Sequence, residues 1–298
     1  MGKLPNFLIV GAAKSGTTAL YRYLEEHPGI YMSPVKEPRF ITSNFLYFPF
    51  QGVGDEKVES KIVKDWDSYY RLFSNAKEEN CIGEASTDTL YYYKNSIPFI
   101  KKYFGDVKII IVLRNPVERA FSAFTHMLRD GREHLSFEQA LQQEEIRKRE
   151  NWEFIWYYKD AGFYYNQVKA FLDNFSNVKV CLFDDLKKNP VKFVQDIYRF
   201  LKVDHSFVPT TIGMRFNMSG IPKSIILQRF FTHPNFFKDT VRVLIPKKLR
   251  LKIRTTLLKK NLKKPEIKPE TKEYLKRLYK DDILKLQELL NVNLASWL

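Results

Sequence analysis

Four short apolar runs limit what this chain can fold into more than any other feature. They are "FLIV" at 7–10, "IYM" at 30–32, "KIIIVLR" at 108–114 and "VKVCLF" at 178–183. A strand buried on both faces reads as a continuous apolar run, because it has no solvent face to alternate with. Helical patterns separate the runs. One extends from about Thr17 to Glu26, ended by His27-Pro28-Gly29. The next opens at Asn115-Pro116, an N-cap followed by a first-turn proline. Others cover about Phe163 to Phe175 and about Pro190 to Leu201. Strands alternating with helices imply an α/β class protein with a doubly wound, mainly parallel sheet flanked by helices. Ligands in such sheets bind at the carboxyl ends of the strands.

No internal repeat or low-complexity tract divides the 298 residues, and 44% of them are hydrophobic, so a single domain over 1–298 is expected. The formal charge of +15 favours anionic partners without choosing among nucleotide, sulfated acceptor, nucleic acid and membrane. Cys81 and Cys181 are too few for a disulfide framework and read as buried thiols. The apolar run at 7–10 is too short for a signal peptide and no stretch is long enough to span a bilayer, so a cytoplasmic protein is expected. From about Phe230 the chain becomes a basic, helical C-terminal region with two readings. Its aliphatics pack on the core and its cations face solvent, or residues 230–264 form a peripheral membrane or anionic-acceptor contact. The last segment, "KPETKEYLKRLYKDDILKLQELL", carries Leu275, Leu278, Ile283, Leu286 and Leu290 near helical spacing.

The chemistry concentrates just after the first run, in "GAAKSGTT" at 11–18. Gly11 and Gly16 keep the G-x-x-x-x-G spacing of a phosphate loop and Thr18 fills its hydroxyl position. Thr17, however, stands where the lysine belongs, and the lysine is at 14. Backbone amides from Lys14 through Ser15 and Gly16 to Thr17 and Thr18, backed by a helix N-terminus, form an anion cradle. A tight turn without a ligand is the alternative. The third run ends in Arg114, with Ser122 eight residues on in "IIIVLRNPVERAFSAF". An arginine there suits a second phosphate, and a pair with a carboxylate is the competing reading. A nucleotide with phosphates at both ends satisfies both cationic positions.

These segments, with "KEPRFI" at 36–41, resemble the sulfotransferases that use 3′-phosphoadenosine 5′-phosphosulfate (PAPS), above all the heparan sulfate N- and 3-O-sulfotransferase branch and its bacterial relatives. The likeness runs from about residue 7 to 225 and includes "GFYYNQVKAFL", "LFDDLKKNP" and "NMSGIPKS". It implies a P-loop-like fold and metal-independent sulfuryl transfer from PAPS, leaving adenosine 3′,5′-bisphosphate (PAP). By the same resemblance Lys14 neutralises the leaving 5′-phosphate, with Ser15, Gly16, Thr17 and Thr18 around it. Arg114 and Ser122 hold the 3′-phosphate, and Lys223 also binds the nucleotide. Glu37 matches the family's general base, against a plain reading as a surface carboxylate paired with Lys36 or Arg39. Lys36, Arg39, Glu84 and Thr87 fall on the acceptor side. Some relatives carry histidine in place of Arg39. Heparan enzymes often carry lysine in place of Ala85, so heparan recognition does not transfer.

Two other functions compete. A P-loop kinase would place Mg²⁺ at Asp184 and Asp185 in "VCLFDD", against which the displaced lysine and Arg114 argue. A nucleic-acid-binding module is permitted by charge, yet no reader fold or aromatic-basic repeat is present, so no nucleic-acid partner is expected. Among the five histidines only His126, one helical turn past Ser122, could approach the nucleotide, a packed helix position being its plainer reading, and no Cys/His spacing suggests a metal.

Overall fold

The structure, a computed structural model, describes residues 3–77, 79–214 and 266–298, together with two short strands at 221–222 and 262–263. Five strands, β1 (Phe7–Gly11), β2 (Ile30–Met32), β3 (Cys81–Ala85), β4 (Lys108–Leu113) and β5 (Val178–Leu182), pair in the order β2-β3-β1-β4-β5. Every pairing is parallel. This is the doubly wound P-loop-like arrangement, with β1 at its centre and fully buried.

Alternation along the strands divides the core between the two faces. Leu8, Val10, Ile109, Ile111 and Leu113 pack with the helices Pro116–Arg129, Tyr165–Asn174 and Pro269–Leu290. Phe7, Ile9, Ile110 and Val112 pack with the helices Thr17–Glu25 and Pro190–Leu201. Asn115 caps its helix as expected, its side chain accepting from the amides of Val117 and Glu118. Both cysteines are free and buried.

Two expectations need correction. "CIGEA" forms the fifth strand, β3, which the apolar-run criterion passes over because Gly83 and Glu84 interrupt it. Gly83 is required there, since a Cβ would lie 2.1 Å from Cζ of Phe7. β5, expected to be buried, is an edge strand with one neighbour, and only Cys181 in it is buried.

The chain's last helix, Pro269–Leu290, buries Leu275, Tyr279, Ile283 and Leu286 at near-helical spacing. Asp282 accepts from the amides of Tyr164 (2.8 Å) and Tyr165 (3.2 Å), satisfying donors at the start of the Tyr165–Asn174 helix. Trp297 is buried and donates from Nε1 to Asp184 at 3.3 Å. Among the described residues no helix is long and apolar enough to cross a membrane. The basic stretch 230–264 lies outside the described residues except for 262–263.

Candidate active site

The loop after β1 is tied to the neighbouring strand, with the amide of Ala12 donating to the carbonyl of Val112 at 2.8 Å. Lys14 (φ 67°) and Gly16 (φ 92°) both take the left-handed conformation. Gly16 cannot be replaced without strain, because a Cβ there would meet the Phe183 ring at 2.7 Å and Leu186 at 2.8 Å. The helix Thr17–Glu25 then begins with no side-chain cap on its first turn. Its leading amides are donors for an anion. Beside them the Ser15 hydroxyl is fully buried and acts on the equally buried Tyr164 hydroxyl.

β4 lies beside β1, so Arg114 emerges next to this loop. Its Nη1 donates to the carbonyl of Lys14 at 3.3 Å, while Nε and Nη2 reach Glu118 Oε2 at 3.2 and 3.0 Å. The guanidinium stands over the Phe183 ring, 4.9 Å from its centroid. Ser122, half-buried on the Pro116–Arg129 helix, lies one turn beyond Glu118 on the same face. Lys14 is half-buried, and burial, helped by Arg129 and Arg114, lowers its ammonium to about 8 despite Asp130 and Glu37 nearby. Four charged groups thus converge on one lysine.

The other wall is built by the chain leaving β2. Ser33 and Glu37 donate their amides to the carbonyls of Gly83 and Ala85 on β3, both at 2.8 Å. Glu37 (φ 60°) and Arg39 (φ 53°) are both left-handed, an arrangement that costs on the order of 1–3 kcal/mol per residue and marks functional sites. Lys36 Nζ is 2.5 Å from Glu37 Oε1, and Arg39 Nη2 is 3.3 Å from Glu37 Oε2. Burial would raise the Glu37 carboxyl, but Lys36 and Arg39 outweigh it and hold it at about 2.

Glu84 and Thr87, expected on the acceptor side, are buried at the end of β3 and just past it. Glu84 accepts from the Tyr69 hydroxyl at 3.2 Å, and burial, with the Asp88 and Glu37 carboxylates, pushes it up to about 8. The two glutamates are therefore in opposite protonation states near neutral pH. Arg39 is likewise buried, its Nη1 bonded to Glu153 at 2.7 Å. His126 accepts at Nδ1 from Arg129 at 2.6 Å, and burial with Lys14 close by lowers its imidazole to about 3. Asp184 does not stand free at a strand end, being paired with Lys187 at 2.5 Å and with Trp297. Lys223 lies outside the described residues.

The model of the Sulfotransferase family matches residues 5–206, a stretch containing β1 to β5 and every described site residue. The chain belongs to the sulfotransferase family. A crystal structure of a sulfotransferase from Alicyclobacillus acidocaldarius is 36% identical, covers 99% of both chains and superposes with a TM-score of 0.79. Human carbohydrate sulfotransferase 15 is 31% identical over 154 residues, 41% of this chain and 27% of that protein. The human bifunctional heparan sulfate N-deacetylase/N-sulfotransferase 2 is 26% identical over 227 residues, 72% of this chain and 24% of that protein. This chain thus spans about a quarter of these two curated relatives.

For a sulfotransferase, the loop, Lys14, Arg114 and Glu37 form one group at the carboxyl ends of β1, β3 and β4. The partners that organise it, Glu153, Asp88, Tyr69 and Arg129, were not among the residues read from the sequence. Each acts through a contact distant in sequence or through burial, and neither leaves a local motif.

Proposed function

We propose that this sulfotransferase-family chain transfers a sulfuryl group from PAPS to a hydroxyl or amine of an acceptor. Carbohydrates, glycolipids and small metabolites are the acceptor classes. The observation that carries this reading is the hydrogen bond from Arg114 to the Lys14 carbonyl, which brings two cationic positions on neighbouring strands to one loop. The buried Ser15 hydroxyl and the Arg114 and Arg129 charges beside Lys14 fit an anionic nucleotide. PAPS supplies the activated sulfuryl group, carried on its 5′-phosphate.

In this reading the amides of Gly16, Thr17 and Thr18 and the Ser15 and threonine hydroxyls hold the 5′-phosphate. The Lys14 ammonium neutralises charge that grows on that phosphate as its bond to sulfur breaks, a contribution larger in the transition state than in the ground state. Arg114 and Ser122 hold the 3′-phosphate, and Lys223 is a further nucleotide ligand. Glu37 takes the proton of the acceptor as its oxygen or nitrogen bonds to sulfur in line with the departing phosphate. While paired with Lys36 it is ionised but weakly basic, and an acceptor that displaces Lys36 raises its basicity. Lys36 is then free to meet an anionic acceptor. Arg39, Glu84 and Thr87 are too buried to touch the acceptor in this conformation and act from behind Glu37. A cytoplasmic location, with peripheral membrane contact through residues 230–264, completes the proposal.

The test is transfer of label from ³⁵S-PAPS to a panel containing chondroitin, N-deacetylated heparosan, octyl glucoside and p-nitrophenol. Label is expected in at least one acceptor with wild-type protein and in none with Lys14→Ala. Undiminished transfer by Lys14→Ala removes Lys14 from the mechanism, and label in no acceptor overturns the assignment to these classes.

A further inference from the structure

Arg39 is shared. Its Nη1 lies 2.7 Å from Glu153 Oε1, its Nη2 3.3 Å from Glu37 Oε2, and its Nε 4.0 Å from Asp88 Oδ2. The backbone of Arg39 is fixed as well, with its amide donating to Ser86 Oγ at 3.0 Å and its carbonyl accepting from Thr42 Oγ1 at 3.0 Å. Its guanidinium also lies 5.4 Å from the centroid of the Phe154 ring. Glu153 is 1% exposed and is held from behind. Its amide donates to Asp55 Oδ2 at 2.9 Å, its Oε2 accepts from the amide of Ile155 at 3.3 Å, and Asp55 in turn pairs with Arg132. A rigid carboxylate 114 residues downstream thus grips one arm of the arginine whose other arm reaches Glu37.

From this geometry we infer that Glu153 is a positioning residue for the reaction, aiming Arg39 at Glu37 and dividing the guanidinium charge between two carboxylates. The inference rests on the reading of Glu37 as the base. An unshared guanidinium would pair fully with Glu37 and hold it as a still weaker base, whereas a divided one orients Glu37 and leaves it able to accept a proton. The groups facing Glu37 are Lys36 and Arg39 from its own loop and Lys14 from the loop after β1, with Glu84 and Asp88 on the carboxylate side. Among the described residues only Arg39 is bonded to both Glu37 and Glu153.

A double-mutant cycle in urea denaturation reads the sharing without needing an acceptor. Glu37→Gln is expected to lower the urea midpoint more in a Glu153→Gln background than in wild type, because the two carboxylates compete for one guanidinium. Additive losses would mean that Glu153 merely caps its own turn, and would overturn the inference. Should Glu153→Gln not fold, Glu153→Asp keeps the charge with a shorter arm and is expected to give a smaller coupling of the same sign, additivity again counting against it. In ³⁵S-PAPS transfer, Glu153→Gln is expected to lower kcat by about tenfold with PAP affinity unchanged. The acidic limb of its pH profile is expected to move to lower pH. If Glu37→Gln abolishes transfer while Glu153→Gln keeps the wild-type kcat and acidic limb, the positioning role falls and the base survives. If Glu37→Gln retains transfer, the base reading falls, whatever the denaturation coupling shows.

Discussion

Lys14 is a cation that burial deprives of water, and its behaviour on binding an anion follows. With its ammonium lowered to about 8, a good part of the population is neutral at pH 8.5. A bound phosphate restores the charge, so PAP binding at pH 8.5 is expected to take up a proton. Calorimetry in two buffers of different ionisation enthalpy measures the uptake, and Lys14→Met should abolish it. Arg114→Ala is expected to weaken PAP by about 2 kcal/mol or more, the scale of a charge-assisted hydrogen bond. Adenosine 5′-phosphate should lose far less, and equal losses would mean that Arg114 does not read the 3′-phosphate. Glu84 gives a prediction about stability. Its folded-state carboxyl is raised to about 8 from an ordinary value of 4.5, so the native state binds this proton more tightly than the unfolded chain. The contribution is fully present below about pH 4.5 and is lost as pH rises toward about 8, at a slope of about 1.4 kcal/mol per pH unit. Glu84→Gln should leave the melting temperature at pH 5 nearly unchanged and raise it at pH 8.5 relative to wild type.

At the scale of elements, the loop after β1 depends on a conformation and a packing space that suit only glycine. Gly16→Ala adds a methyl at φ 92° against Phe183 and Leu186, and is expected to destabilise the fold by about 1–3 kcal/mol, read as a lowered denaturation midpoint, while also weakening PAP binding. Asp282→Ala leaves the amides of Tyr164 and Tyr165 without their acceptor, and a loss of about 1–2 kcal/mol is expected in the same assay. Four of the five strands were legible as apolar runs, and the glycine loop after β1 and the placing of Arg114 beside it were legible from spacing. β3 was not, because what suits it to its place between β2 and β1 is a missing side chain at Gly83 against the Phe7 ring and a buried carboxyl at Glu84. Local patterns count apolar side chains and register neither a missing one nor a buried carboxyl. The Arg39–Glu153 pair was illegible for a different reason, since a contact across 114 residues leaves no trace in either local segment.

At the scale of the molecule, the sheet's two faces are covered by different parts of the chain. One is covered by the helices Thr17–Glu25 and Pro190–Leu201, and the other requires Pro269–Leu290 and the buried residues Leu294 and Trp297. Removing residues 266–298 would uncover Val168, Phe171 and Tyr164 along with the strand side chains behind them, and is expected to give an aggregated product in size-exclusion chromatography. The substitution Leu286→Ala should cost about 2–5 kcal/mol at the same surface. Because Asp282 and Trp297 fasten onto Tyr164 and Asp184, one half of the core stays open on a growing polypeptide until residues 266–298 have left the ribosome. The opposite half can close once residue 201 has emerged. A nascent chain of this protein therefore carries one finished face and one greasy, unfinished one while the stretch from 202 to 298 is being made. That is the interval in which a chaperone would be needed most.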